Sequence, residues 1–377
     1  MKVSCLQENL SKGLGIVGRA VATRSTLPQT SHVLLASDEG RLKLAATNLE
    51  IAITCWVGAQ VEEEGSVTVP ARLLSDFVTS LPNDRIELTL SPRGRQLRLL
   101  SARNEATISG MDAADFPPIP AVEDGSGLSI DAKSLRAAIG QVEFAAATDD
   151  TRPVLTGVHT LIEGNTLTFA AADGFRLAVH KLALDRDVPE KIEVVIPARA
   201  LRELERLLAD QEEPVEIGFN AAQSQAMFRL KNVEMVAQLI QGTFPNYSQL
   251  IPQSYTNRAI VEVEEFLRET RIAAIFARDG SGIVRLQVQP GTDATPGQLT
   301  ISARAEEVGD HRGEIDVVVE GEPAKIAFNS KYLQDVLQVL DAGQVALETT
   351  SPSSPGVLKP IGSDDSIHVV MPMFVQW

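Results

Sequence analysis

The sequence predicts an α+β protein built from three copies of one unit, each with two helices against antiparallel sheets. Three observations carry this. Short alternating apolar segments rich in Val, Ile, Leu and Thr recur along the chain with Gly, Asn, Asp or Pro between them, the pattern of half-buried strands. A few stretches switch to helical spacing. The order of these elements then repeats at a domain-sized interval, as diverged tandem copies do.

In the first third, strands are predicted at 2–6, 32–37, 41–46, 50–57, 66–70, 85–90, 96–102 and 105–109. Residues 7–21 place Leu10, Leu14, Val17 and Val21 on one helical face. Residues 70–80 do the same with Leu73, Leu74, Phe77 and Val78 behind Pro70, a residue suited to a helix start. TVPARLLSDFVTSLP (68–82) is echoed by VIPARALRELERLLAD (195–210) and AFNSKYLQDVLQVLDAG (327–343). GRLKLAATNLEIAI (40–53) matches NTLTFAAADGFRLAV (165–179) and GQLTISARAEEVGD (297–310). The opening helix has counterparts at 131–147 and 262–278. The Pro- and Gly-rich stretch 115–127 and the segment TFPNYSQLIPQS (243–254) read as joints. The expected domains are 1–120, 127–250 and 254–377.

The chain of 377 residues carries 34 basic and 50 acidic residues, a net charge of −16. That acidity argues against a general nucleic-acid coat, which needs clustered Lys and Arg. The distribution matters more than the sum. The six helix-like segments hold equal numbers of basic and acidic residues, so strands and loops carry the whole deficit. Any DNA-facing surface would have to lie on the helices, with Arg24, Arg72, Lys133, Arg136, Arg199 and Arg202 as candidates; from charge alone, ordinary solvated helix faces are the favoured reading.

Two cysteines, Cys5 and Cys55, make no disulfide framework and fit a reducing compartment. The start MKVSCLQENLSKG carries no long apolar run, so no signal peptide is expected. No stretch reaches the roughly 18 apolar residues of a membrane span. A cytoplasmic location is the expectation. Five histidines stand at no metal-ligand spacing, and neither metal nor cofactor is expected. Gly13, Gly15 and Gly18 spell G-x-G-x-x-G, but a polar helix-like stretch separates them from the preceding strand. That context fits a helix packed closely against a neighbour better than a dinucleotide loop. Asp173-Gly174 reads as a tight turn presenting Phe175 and Arg176, with no histidine or second carboxylate in the motif for general-base work. The familiar hydrolase, metalloprotease, phosphate-loop and dithiol motifs are absent from the sequence. The apolar ending IHVVMPMFVQW (367–377) reads either as a buried last strand or as the wall of a groove, where Met suits several partners.

RSTLPQTSHVLL (24–35), TVPAR (68–72), MDAADFPPI (111–119), ADGFRLAV (172–179), VIPAR (195–199), GTFPNY (242–247), AFNSKYLQDVL (327–337) and VVMPM (369–373) together resemble the bacterial β sliding clamp, the β subunit of DNA polymerase III. The resemblance covers the whole chain. It implies three clamp domains and a head-to-tail dimeric ring, with helices lining the hole and strands on the rim. It implies a non-catalytic processivity factor that encircles duplex DNA without reading sequence. The implied partners are a second copy, polymerase III subunits, the clamp loader, and other polymerases and repair proteins that insert short linear motifs; no membrane is among them.

Carried over by motif, a partner cleft would use Leu155, Ala172, Gly174, Phe175, Arg176 and Leu177 from the second repeat. Pro245, Gln249 and Leu250 would come from the joint, and Asn329, Tyr332, Ser354, Val369, Val370, Met371, Pro372 and Met373 from the third. Phe175 stands where the family often has His, and Gln249 where Arg can occur, so the cleft is expected to be more apolar and less positive. The chain also runs past VVMPM to Trp377. The implied dimer seam uses Ala106, Ile108, Ile275 and Phe276 as apolar contacts, with Arg103 facing Glu306 or Glu307. Two readings stand beside the clamp: a nucleotide-dependent enzyme using Gly13–Gly18, and a β-rich repeat scaffold without a DNA role.

Overall fold

The computed structural model describes residues 1–23, 27–91, 95–120, 127–149, 151–277, 282–305 and 309–377. All six expected helices are present. In the first repeat the elements are β1 (Lys2–Leu6), α1 (Gln7–Val17), β2 (His32–Asp38), β3 (Arg41–Thr47), β4 (Ile51–Val57), β5 (Gln60–Glu63), β6 (Ser66–Pro70), α2 (Ala71–Ser80), β7 (Arg85–Leu90), β8 (Gln96–Ser101) and β9 (Asn104–Ser109). The second holds β10 (Leu128–Ile130), α3 (Ala132–Gly140), β11 (Gly157–Ala172), β12 (Arg176–Pro197), α4 (Ala198–Leu207), β13 (Val215–Phe219), β14 (Gln225–Leu230) and β15 (Val233–Gln238). The third holds β16 (Asn257–Glu262), α5 (Val263–Ala277), β17 (Ile283–Gln289), β18 (Gly297–Ala305), β19 (Gly309–Gly321), β20 (Ala324–Asn329), α6 (Ser330–Val339), β21 (Gln344–Thr349), β22 (Gly356–Pro360) and β23 (Ser366–Val370).

Two expectations change. The first helix stops at Val17 and tightens into a 3₁₀ turn to Ala20, so Val21 is not on its face. The helix expected over 131–147 ends at Gly140. In the first repeat one strand went unread: β5, QVEE, has no apolar face and is mostly exposed, so it carries no alternation.

The chain falls into two compact units. Residues 1–136 with 199–239 form one, and residues 137–198 with 240–377 the other. The second repeat thus contributes to both. The first unit holds a five-stranded sheet, β5-β1-β7-β8-β9, and an eight-stranded sheet, β10-β13-β14-β15-β4-β3-β2-β6. The second holds a ten-stranded sheet, β11-β12-β23-β22-β21-β16-β19-β18-β17-β20. All assigned strand pairings are antiparallel, as two-residue hairpins and meanders allow.

The G-x-G-x-x-G glycines lie within and at the end of α1. A Cβ on Gly13 would come within 2.7 Å of Val57 Cγ2 and 2.8 Å of Leu44 Cδ1, while Gly15 and Gly18 face open space. Gly13 therefore lets α1 settle onto β3 and β4, and no phosphate-cradling loop exists there.

Candidate functional site

The site is built where β11 turns into β12, beside the last strand and α6, all within the second unit. Ala172 ends β11. Asp173 Oδ1 accepts hydrogen bonds from the Phe175 and Arg176 amides at 2.8 and 3.0 Å, which closes a turn through Gly174 at φ +93°. That φ is one glycine adopts freely. The turn throws the Phe175 ring outward, 57% exposed. It also folds Arg176 inward.

Arg176 is the organising residue. Its side chain is only 9% exposed. Nε donates to Asp173 Oδ2 at 3.0 Å, Nη1 to Asp335 Oδ2, and Nη2 to the Phe144 carbonyl at 2.8 Å. The guanidinium also lies over the Tyr332 ring at 4.7 Å and the Phe144 ring at 5.3 Å. Its charge is spent on two carboxylates, so Asp173 is no free base and Arg176 no exposed cation. Burial, reinforced by Asp173, raises the Tyr332 hydroxyl above its ordinary pKa and keeps it neutral. Phe175 stacks on Tyr332 at 6.0 Å and 21°.

The floor is apolar. Leu155, Ala172, Leu177 and Val369 share one cluster with Val357 and Phe244, and Val154, Tyr247 and Ile251 pack against it. Val370 belongs to the adjoining cluster with Phe328, Leu333 and half-buried Tyr332. Val369 and Val370 are strand residues, paired with Leu177 and Arg176 on β12. They form the floor from below and are not themselves a free surface. The chain leaves the sheet at Met371, whose amide donates to the Phe175 carbonyl at 2.8 Å, and the Met373 amide donates to Ala327 on β20 at 2.7 Å. The rim carries exposed Phe175, Leu250 and Met371. Pro245 and Gln249 are exposed beside Leu250. Asn329 caps α6 by accepting from the Lys331 amide at 2.9 Å, and Ser354 bonds Ser351 in the loop before β22. Trp377 lies against Lys325 (Nζ 5.6 Å from the ring centroid), and Phe374 is 86% exposed.

Sequence reasoning missed Val154, Val357, Phe144 and Asp335. The first two are ordinary strand or loop valines with no local signal. The last two meet Arg176 only through the fold.

Of the residues expected to face DNA, Arg24 lies outside the described residues. Arg72, Lys133, Arg136, Arg199 and Arg202 are exposed. Arg72 sits 3.8 Å from Asp76 on its own helix. Lys133, Arg136 and Arg199 have no carboxylate within 4.0 Å among the described residues, whereas Lys12, Arg19 and Arg206 are neutralised by Asp210 and Glu203. At the expected seam, Glu306 and Glu307 lie outside the described residues. Arg103 is exposed, Ala106 half-buried and Ile275 59% exposed, while Phe276 stacks on His311. Ile108 is 4% exposed and packed inside its own sheet opposite Leu97.

With that geometry in view, comparison with known families is decisive. Residues 1–120 match the N-terminal domain of the DNA polymerase III beta subunit, 129–246 its central domain and 248–374 its C-terminal domain. The chain belongs to this family. It is 34% identical over 376 residues to the beta sliding clamp of Synechococcus elongatus, covering 99% of each chain. It is 33% identical to that of Staphylococcus aureus, over 94% of each. Among solved structures it is similar to the Bacillus subtilis DNA polymerase sliding clamp, with TM-score 0.94, 28% identity and full coverage of both chains. A Pseudomonas aeruginosa sliding clamp bound to griselimycin matches with TM-score 0.91 and 30% identity, again over both whole chains. Membership makes the fold three clamp domains and the function that of a DNA sliding clamp, a non-catalytic role in replication. No helix among the described residues is long and apolar enough to cross a membrane.

Proposed function

We propose that two copies of this chain join head to tail into a ring that holds duplex DNA by topology, in the cytoplasm, and docks partners on the Phe175–Met371 site. The observation that carries the ring is the internal repeat. Twice, the closing strand of one repeat adds to the sheet of the repeat before it: β15 to β4, and β23 to β12. The corresponding edges at the chain's two extremes, β9 and the first half of β19, are left unpaired among the described residues. A second copy supplies what each lacks. Domains of 1–120, 127–250 and 254–377 fit this scheme.

Lys133, Arg136 and Arg199 would contact phosphates, which position without specifying sequence. A closed ring needs few such contacts, so an overall acidic chain can serve. The cleft would take a short linear segment with one or two apolar anchors, the kind of contact in which few side chains dominate. Polymerase III subunits, the clamp loader and repair proteins are the proposed donors. The test is retention on DNA. Protein loaded on nicked circular DNA should co-elute with it and be lost when the circle is linearised; equal retention on both refutes the topological reading.

A further inference from the structure

We infer the register of the contact with a second copy, residue by residue, and that its charges and shapes select this register. The inference rests on the ring reading above. Equivalent positions follow from the ladders inside each repeat. On the closing strands, Ala106 stands opposite Leu99, Met235 opposite Phe228 and His368 opposite Leu358. On the receiving strands, Ile53 stands opposite Ala46, Ala178 opposite Ala171 and His311 opposite Ala303. These three alanines occupy the same place in the matched segments 40–53, 165–179 and 297–310. Within the chain, Met235 pairs with Ile53 and His368 with Ala178. The third member of the series is Ala106 of one copy opposite His311 of the other.

The neighbours then follow along an antiparallel ladder. Arg103 faces Glu314, Glu105 faces Arg312 and Thr107 faces Asp310. The first seam already shows the main-chain bond this implies at its end: the Trp56 amide donates to the Asn232 carbonyl at 3.0 Å, where Glu314 and Arg103 would stand.

Three features of the free edges fit. Ala106 shares the face of β9 that carries buried Ile108, and His311 faces α5, stacked on Phe276 at 5.7 Å. The small Ala106 therefore leaves room for the imidazole, as Ala178 does for His368. Second, the outward charges alternate in complementary order. Arg103 has no carboxylate within 4.0 Å among the described residues. Glu105 is steadied by Arg98 and Arg312 by Glu314, each at 2.7 Å, so the seam would extend both pairs into a network. Third, wrong registers are repelled. A slip of two residues one way sets Arg103 against Arg312 and Glu105 against Asp310. The other way sets Glu105 against Glu314. A slip of one turns every side chain to the other face. Like charges directly opposite on an antiparallel pair are destabilising.

The test uses the full chain. Ala106→Cys with His311→Cys should form an intersubunit disulfide under mild oxidation, since a directly opposed pair brings its Cβ atoms within reach. The native Cys5 and Cys55 are buried and do not compete. Ala106→Cys with Gly309→Cys or with Gly313→Cys should cross-link poorly. In sedimentation, Arg103→Glu should weaken the dimer about tenfold per seam, so about a hundredfold for two seams, and adding Glu314→Arg should restore most of it. Efficient cross-linking of Ala106→Cys with Gly309→Cys or Gly313→Cys but not with His311→Cys, or a double reversal no tighter than the single variants, overturns this register and leaves the ring reading standing. A wild-type chain that is monomeric at all concentrations overturns both.

Discussion

Replacing Arg176 by alanine is the sharpest probe of the partner site. The guanidinium bridges Asp173 and Asp335, whose side chains are 13% and 23% exposed, and holds the Phe144 carbonyl. Its removal leaves two carboxylates near each other without a counter-charge and empties the space between the Tyr332 and Phe144 rings. Breaking a buried pair costs roughly 3–5 kcal/mol; the residual exposure of both carboxylates places this case at the lower end, about 3 kcal/mol. For a cooperative unit of this size, each kcal/mol moves Tm by roughly 2–4 °C, so the expected fall is about 6–12 °C. Differential scanning calorimetry of the full chain measures it, read on whichever transition moves, since two compact units need not melt together. Arg176→Lys should recover less than half, because one ammonium cannot serve both carboxylates, the carbonyl and two ring faces. A fall of less than 2 °C for the alanine variant would show that Arg176 does not organise the turn.

Gly13→Ala should destabilise by about 1–3 kcal/mol through overpacking against Val57 and Leu44, whereas Gly15→Ala, in open space on the same helix, should stabilise by up to about 1 kcal/mol; urea titrations of the two variants compare them directly. His368 is fully buried, donates from Nε2 to Gln141 Oε1 at 3.1 Å, and has its pKa pushed down to about 3 by burial, with His180 adding to the fall. The unfolded chain binds the proton first, so stability is full above pH 6.5 and falls by about 1.4 kcal/mol per pH unit between 6.5 and 3; an unchanged urea midpoint between pH 7.5 and 5.5 would contradict this. Met371→Ala should weaken a fluorescent partner peptide about tenfold without lowering Tm, because this side chain is exposed on the rim. Fluorescence anisotropy reads it, and undiminished affinity would remove Met371 from the site.

Much of the fold was legible because it is local. Leu10, Leu14 and Val17 fall on the buried face of α1, and the PAR and NSK helix starts mark each repeat. What stayed hidden is non-local or solvent-facing. Nothing in AQVEEE announces β5, since neither face is apolar. Arg176 follows an Asp-Gly turn and looks like a surface cation, yet its two carboxylates lie three and 159 residues away. The sharing of sheets between repeats is a matter of pairing between distant strands. The third repeat also carries a quiet offset. Five residues separate the paired Arg304 and Asp310, against four between the paired Thr47 and Ala52, so the third repeat holds one extra residue between these positions. By position in the sequence repeat Ile53 corresponds to Asp310, whereas by strand pairing it corresponds to His311. One residue of slip in a strand exchanges the two faces, and the seam chemistry changes with it.

The two edges that would meet, β9 and the start of β19, are unlike, so a pair of chains closed by them has two identical seams. Parting both seams separates the chains and depends on their concentration. Parting one does not: it is a unimolecular opening, and the other seam keeps the halves at high effective concentration for reclosure. In such a pair, admitting DNA draws on the strength of a single seam, while survival of the assembly at dilution draws on the sum of two.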